Sequence, residues 1–166
     1  MAELNIETFQ DYIESLCEQH SDVAHNAGGQ RSFARLLSDE QIDAISNNAA
    51  PNVVIVSNYN GRATGQAHEA KMRQVAQIMF LSYARTQNTE GINAATATAF
   101  NVMMDFVSRF RKDQDDAGHC DPLKDFELQN ISWDLLQEPM LQAHYGWELT
   151  LPFSSYQPEY NPDKWL

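Results

Sequence analysis

From Tyr145 to Phe153 the chain alternates without a break: Tyr145, Trp147, Leu149, Leu151 and Phe153 are large and apolar, while Gly146, Glu148, Thr150 and Pro152 are small or polar. Side chains in a strand point alternately to the two faces of a sheet, so this spacing predicts a strand with all five large groups on one face. Burying one such side chain is worth roughly 1.5–3 kcal/mol, so the face anchors a core once a second layer covers it. A chain with this strand must build a sheet around it and supply the covering layer from elsewhere. At 166 residues and 43% hydrophobic composition, the material suffices for one domain.

The covering layer is helical. Ile92, Ala95, Ala99, Met103, Phe106 and Phe110 form one stripe, widened by Val102 and Val107, which predicts a long helix over Asn93–Lys112 with Gly118 beyond its end. Phe106 and Trp147 are both expected in the core. Asp113, Asp115 and Asp116 oppose the helix dipole there, so fraying is expected before Gly118. Ile6, Phe9, Ile13, Leu16 and Cys17 predict a first helix over Ile6–His20, with Asn5 as its cap. Asn26, Gly28 and Gly29 then mark a loop. Ser38 and Gln41 have the spacing of a capping box, and Leu37 and Ile42 that of a hydrophobic staple, so a short helix is expected from Asp39 to about Asn48, before Pro51.

Val53, Val54, Ile55 and Val56 predict a buried strand reaching Asn58. Asn60-Gly61 is the favoured pair for a tight hairpin turn, which would make Arg62–Thr64 the start of a return strand that Gly65 interrupts. Lys71 to Arg85 fits two patterns. Met72, Val75, Ala76, Met79, Phe80 and Tyr83 suit a helix, but the run from Ile78 to Leu81 suits a central strand covered on both faces, and a strand over Gln74–Tyr83 is the reading adopted. Phe126 and Leu128 alternate in one phase and Ile131, Trp133 and Leu135 in the other, predicting a strand over Glu127–Asp134 with a β-bulge at Gln129 or Asn130. Pro139 separates it from the last strand. The expected class is therefore α+β: a single domain (1–153) with an antiparallel or mixed sheet packed by one long helix, an N-terminal helix and a short capped helix, followed by an extended arm (154–166).

Charge narrows the partners. Lys and Arg number 11 against 23 Asp and Glu, a net −12, so a broad nucleic-acid surface would have to work against the chain's own field, and no specific nucleic-acid binding is expected. No apolar run approaches the roughly 20 residues of a membrane span, and the acidic start MAELNIETFQ lacks the pattern of an export signal, so a soluble, unexported chain without membrane contact is expected. Cys17 and Cys120 make no disulfide framework and read as ordinary thiols.

Chemical motifs are sparse. His20 with His25, or His119 with Cys120 and Asp121, lack the spacing that brings three or four metal ligands together, and His68-Glu69 lacks a zincin's second histidine. The GRATG of Gly61–Gly65 lacks the length and ending of a phosphate loop, and no nucleophile elbow occurs. Asp115, Asp116 and Asp121 suit a solvated helix end better than paired catalytic acids. No metal, cofactor or catalytic set is therefore expected. The arm SSYQPEYNPDKWL carries Tyr156, Tyr160, Trp165 and Leu166 between prolines. Such a segment folds back over its own domain, stays disordered, or supplies aromatic anchors to an interface.

The element order, ending in the Gly-Trp strand AHYGWELTLPF, resembles the tail terminator or tail-completion family of tailed bacteriophages over about Ile6 to Phe153. The segment from Asn26 to Asn48 and the arm are additions to the simplest form of that pattern. The resemblance implies a non-enzymatic α+β protein that assembles as a homo-oligomeric ring, commonly a hexamer, at the head-proximal end of the tail. It would be assembled in the host cytoplasm and meet tail-tube and head-tail connector proteins. A head-completion or other tail-joint protein is a second expectation of the same class. A small bacterial enzyme or ligand-binding domain is the competing one.

Overall fold

A computed structural model describes residues 6–29, 31–35, 49–64, 71–116, 123, 125–141 and 143–156. The expected strand over Gln74–Tyr83 forms and is longer, running Lys71–Tyr83 (β3) at the middle of a five-stranded sheet. The other strands are Arg31–Arg35 (β1), Ala49–Thr64 (β2), Ser132–Leu135 (β4) and His144–Tyr156 (β5), in the order β1-β2-β3-β5-β4. Since β1 lies parallel to β2 and every other pairing is antiparallel, the sheet is mixed. The α+β class holds. The helices are Ile6–Gln19 (α1) and Thr89–Asp115 (α2), the second beginning four residues before its expected start and ending three after its expected end. Asn88 caps α2 by accepting a hydrogen bond from the Gly91 amide at 2.8 Å.

Both helices lie on one face of the sheet, where Val54, Val56, Ala76, Ile78, Phe80, Leu149, Leu151 and Phe153 meet Phe9, Ile13, Met103, Phe106 and Phe110 in one buried cluster. Ring contacts knit the layers. Phe80 and Phe106 meet edge to face at 5.1 Å, and Phe9 stacks on Phe126 at 5.0 Å. Asp113 of α2 joins the helices, accepting from the Tyr12 hydroxyl at 2.8 Å and from Arg109 Nε at 2.7 Å. The other sheet face is thinly covered: Val53, Ile55 and Leu81 pack with Ala34 and Leu141, but Val75, Gln77 and Met79 are only half-buried. Cover on both faces of β3 is thus confined to one end.

Four expectations change. Asn60-Gly61 makes no turn, since β2 runs straight through it to Thr64 and pairs Asn60 with Val75 and Gly61 with Gln74. A continuous ladder with β3 outweighs the local preference of one dipeptide, and the irregularity in β2 is a bulge between Val56 and Asn58. The phase change after Leu128 is a 3₁₀ turn over Leu128–Asn130, not a bulge in a continuous strand, so β4 keeps only Ser132–Leu135. The last strand passes Phe153 and Leu151 to end at Tyr156, opposite Lys71. Trp147 is half-buried rather than in the core, while Phe106 is buried as expected. The short helix from Asp39 and the residues Gly65 and Gly118 lie outside the described residues.

Candidate functional site

The most distinctive surface is an aromatic edge. Across the β4–β5 ladder Trp133 pairs with Leu149 and Leu135 with Trp147, which places both β4 side chains on the sheet face that carries α2. The helix reaches only part of the way over them. Phe100 of α2 sits 5.2 Å from the Trp147 ring and 6.4 Å from Trp133, both edge to face. Trp147 turns its indole N–H to the Thr96 carbonyl at 3.1 Å, and this polar contact holds the ring at the margin instead of in the core. Trp133 and Leu135 remain 40% and 46% exposed. Single exposed apolar residues are ordinary, but these two join Phe100 and Trp147 in one contiguous patch on a strand whose outer side pairs with no other described strand. Beside the patch is a groove of about 440 Å³ lined by Asn93, Thr96, Ala97, Phe100, Asn101 and Trp147, none of them charged.

A second, more polar cleft of about 520 Å³ opens where β2, β3 and β5 run past the 3₁₀ turn, with Asn60, Arg73, Gln74, Glu127 and Asn130 in its wall. Glu127 accepts hydrogen bonds there from Ser154 Oγ at 2.8 Å and Asn130 Nδ2 at 2.9 Å. Arg73 is exposed. These groups offer polar contacts but no nucleophile with an adjacent base.

One constellation has the residue types of a catalytic set, and its geometry argues against that use. His25 Nδ1 accepts from the Ser32 amide at 3.1 Å, and its Nε2 lies 3.5 Å from Glu14 Oε1. The Ser32 hydroxyl, however, donates to the Val23 carbonyl at 2.7 Å and is fully buried, so the imidazole does not receive its proton. Glu14 and Asp11 also bind Arg35, tying β1 to α1. The Glu14 hydrogen bond, chiefly, raises the Arg35 pKa, against the opposing effect of desolvation. Burial pushes the Cys17 thiol well above its ordinary range, with Glu14 and Glu18 adding to the shift, so this sulfur is not a nucleophile. His20 faces Asp105 at 3.4 Å on the surface. No three His, Cys, Asp or Glu side chains converge as metal ligands, and no helix is long and apolar enough to cross a membrane, among the described residues.

No family model, curated protein or solved structure matches the chain. The site therefore rests on its own geometry. Of the anchors expected from sequence, Tyr156 is placed by its backbone at the end of β5, and Tyr160, Trp165 and Leu166 lie outside the described residues, as do His68, Glu69, His119, Cys120 and Asp121. The sequence put Trp133 and Trp147 on strands, and Leu135 in phase with Trp133 just past the expected strand end at Asp134, but did not group them with Phe100. The available signal was the alternation of Ile131, Trp133 and Leu135, which puts Trp133 and Leu135 on one face of a strand.

Proposed function

We propose that this chain is a structural assembly protein resembling the tail terminator or tail-completion proteins of tailed bacteriophages, with copies joining as a ring, commonly a hexamer in proteins of that kind, at the head-proximal end of a tail. The observation that carries the reading is the edge formed by Trp133, Leu135, Phe100 and Trp147, an apolar surface along a strand with no described neighbour on its outer side, in a chain of net charge −12. An acidic molecule that associates with itself does so best through side chains without like charges, and the four of this patch are uncharged, with Asp134 and Glu148 in the alternate positions of the same strands. The α+β layering, with one long helix across the sheet and a final Gly-Trp strand, agrees with the element order behind the resemblance. The net negative charge also suits a ring through which nucleic acid passes without adhering. Tail-tube and connector proteins are the partners this role requires, and a head-completion or other tail-joint role uses the same surfaces.

Negative-stain electron microscopy of the purified chain tests the reading. Closed rings of uniform diameter are expected, and dispersed single chains at all concentrations would contradict it. The polar cleft beside Arg73 favours one alternative, a ligand-binding domain. A thermal-shift screen with small anions and carboxylates addresses it, and a saturable stabilisation lost in Arg73→Ala would support that alternative.

A further inference from the structure

We infer that two like-charge pairs on one face of the sheet, Arg62 with Arg73 and Asp134 with Glu148, are the two halves of a contact between copies of this chain; the inference rests on the assembly reading above and names the charges that join the copies. In the ladders Arg62 stands directly opposite Arg73, and Asp134 directly opposite Glu148. Arg73 and Met79, the β3 partner of Glu148, are six residues apart, an even number, so both pairs belong to the face turned away from the helices. Arg73 and Asp134 are exposed, and Glu148 is half-buried with its Oε1 accepting from Gln77 Nε2 at 2.8 Å. Like charges directly opposite across a ladder are destabilising, so each pair works against the single chain. The two do not relieve each other within one copy. Six residues of strand put about 20 Å between them, well beyond the Debye length of about 8 Å at physiological salt.

Charge complementarity selects a second copy as the occupant. Asp134 and Glu148 alternate with Trp133, Leu135 and Trp147 on the same two strands, so whatever receives the aromatic edge meets these carboxylates as well. It must present cations beside an apolar surface. Arg73 does so, standing in the wall of the cleft of about 520 Å³ with Val75, Pro152 and Phe153, where the one carboxylate of the lining, Glu127, is held by Ser154 and Asn130. A guanidinium also sits favourably over an indole face, so Arg73 suits Trp133 as well as its neighbour Asp134. Other cations fit less well: Arg111 and Lys112 share the end of α2 with Asp115 and Asp116, while Arg109 is taken up by Asp113 and Arg35 by Asp11 and Glu14. Among the described residues, no cation but Arg62 and Arg73 faces a like charge across a ladder. Each chain thus offers both halves at separate places, and a contact that uses one of each repeats from copy to copy, the kind that closes into a ring when the rotation permits.

Charge reversal tests this in the full-length chain, with light scattering as the readout. Arg73→Glu and Asp134→Arg are each expected to weaken self-association about tenfold, because each sets like charges against one another across the contact. The two reversals in one chain are expected to restore assembly to near the wild-type level. Arg73→Glu combined with Asp116→Lys is the control: it has the same net charge as the double reversal, and it is expected to stay weak, since Asp116 lies at the end of α2. Denaturant titration at a dilution where every form is a single chain separates the contact from the fold. Each single reversal removes a like-charge pair there, so its unfolding midpoint is expected to be no lower than that of wild type. If wild type assembles but the double reversal associates no better than either single one, or no better than the control, the contact is overturned while the assembly reading stands. A midpoint for Arg73→Glu or Asp134→Arg well below wild type also overturns it, since the charge would then serve its own chain. A wild-type chain that stays single at every concentration overturns both.

Discussion

Gly146 shows how much one position can require of a strand. A Cβ there would stand 1.8 Å from the Phe80 carbonyl oxygen and 2.8 Å from its carbon, so β5 touches the backbone of β3 at this point. Gly146→Ala must push the two central strands apart, and about 1–3 kcal/mol of stability should be lost in a denaturant titration. An unchanged midpoint would mean that the strands are not in contact there. The alternation in the sequence put a small residue on that side of β5 but could not reveal the close approach, because the obstacle is a backbone atom more than sixty residues away. Trp147 was misjudged for a related reason. Its size and phase point inward, yet its N–H needs an acceptor, and the Thr96 carbonyl holds it at the margin. Cys17 supplies a second test at this scale. With the thiol buried and its ionisation suppressed, it should resist iodoacetamide in the folded protein and react on unfolding, as peptide mass mapping would show. Rapid labelling under native conditions would contradict the placement of α1.

The longer the periodic run, the better the sequence defined its element. The stripe from Ala95 to Phe110 located α2, and the apolar run from Ile78 to Leu81 located the central strand despite an equally good helical pattern over the same residues. Short elements were harder. β1 has five residues, of which Ser32, Phe33 and Ala34 are all buried, so it shows no alternation to recognise. The 3₁₀ turn over Leu128–Asn130 shifts the phase of the chain by itself, which from sequence is indistinguishable from a bulge. Asn60-Gly61 is an honest local signal overruled by a long ladder. The contact between the helices is the element most open to test. Asp113→Ala removes the acceptor shared by Tyr12 and Arg109 and leaves the tyrosine hydroxyl half-buried, so about 1–3 kcal/mol should be lost, with α1 amides exchanging faster than those of α2. Uniform exchange in both helices would show that Asp113 does not dock α1. Asp134 faces Glu148 across the β4–β5 ladder, a like-charge pair on an edge of four residues. The amides of β4 should accordingly exchange well before those of β3, and equal protection in the isolated chain would be inconsistent with an open edge.

At the scale of the whole molecule, composition and charge pointed away from nucleic acid, and the element order pointed to an α+β sheet with a long helix across it. The surface was less legible. A patch made of Phe100, Trp133, Leu135 and Trp147 draws on three separate elements, and it takes both the register of β4 against β5 and the packing of α2 on the sheet to bring the four side chains together. The aromatic arm, conversely, stood out in sequence, yet only its first residues, 154–156, are placed, in line with β5. The central claim is that the aromatic edge exists to join copies of the chain. Light scattering of wild type and of Trp133→Glu across a concentration series measures this most directly. The account predicts a wild-type mass several times the 18.9 kDa of one chain, with Trp133→Glu falling to a single chain that keeps the wild-type far-UV circular dichroism and melts lower only by the stabilisation that association supplies. A wild-type mass of one chain throughout, or an assembly indifferent to a carboxylate at position 133, would contradict it.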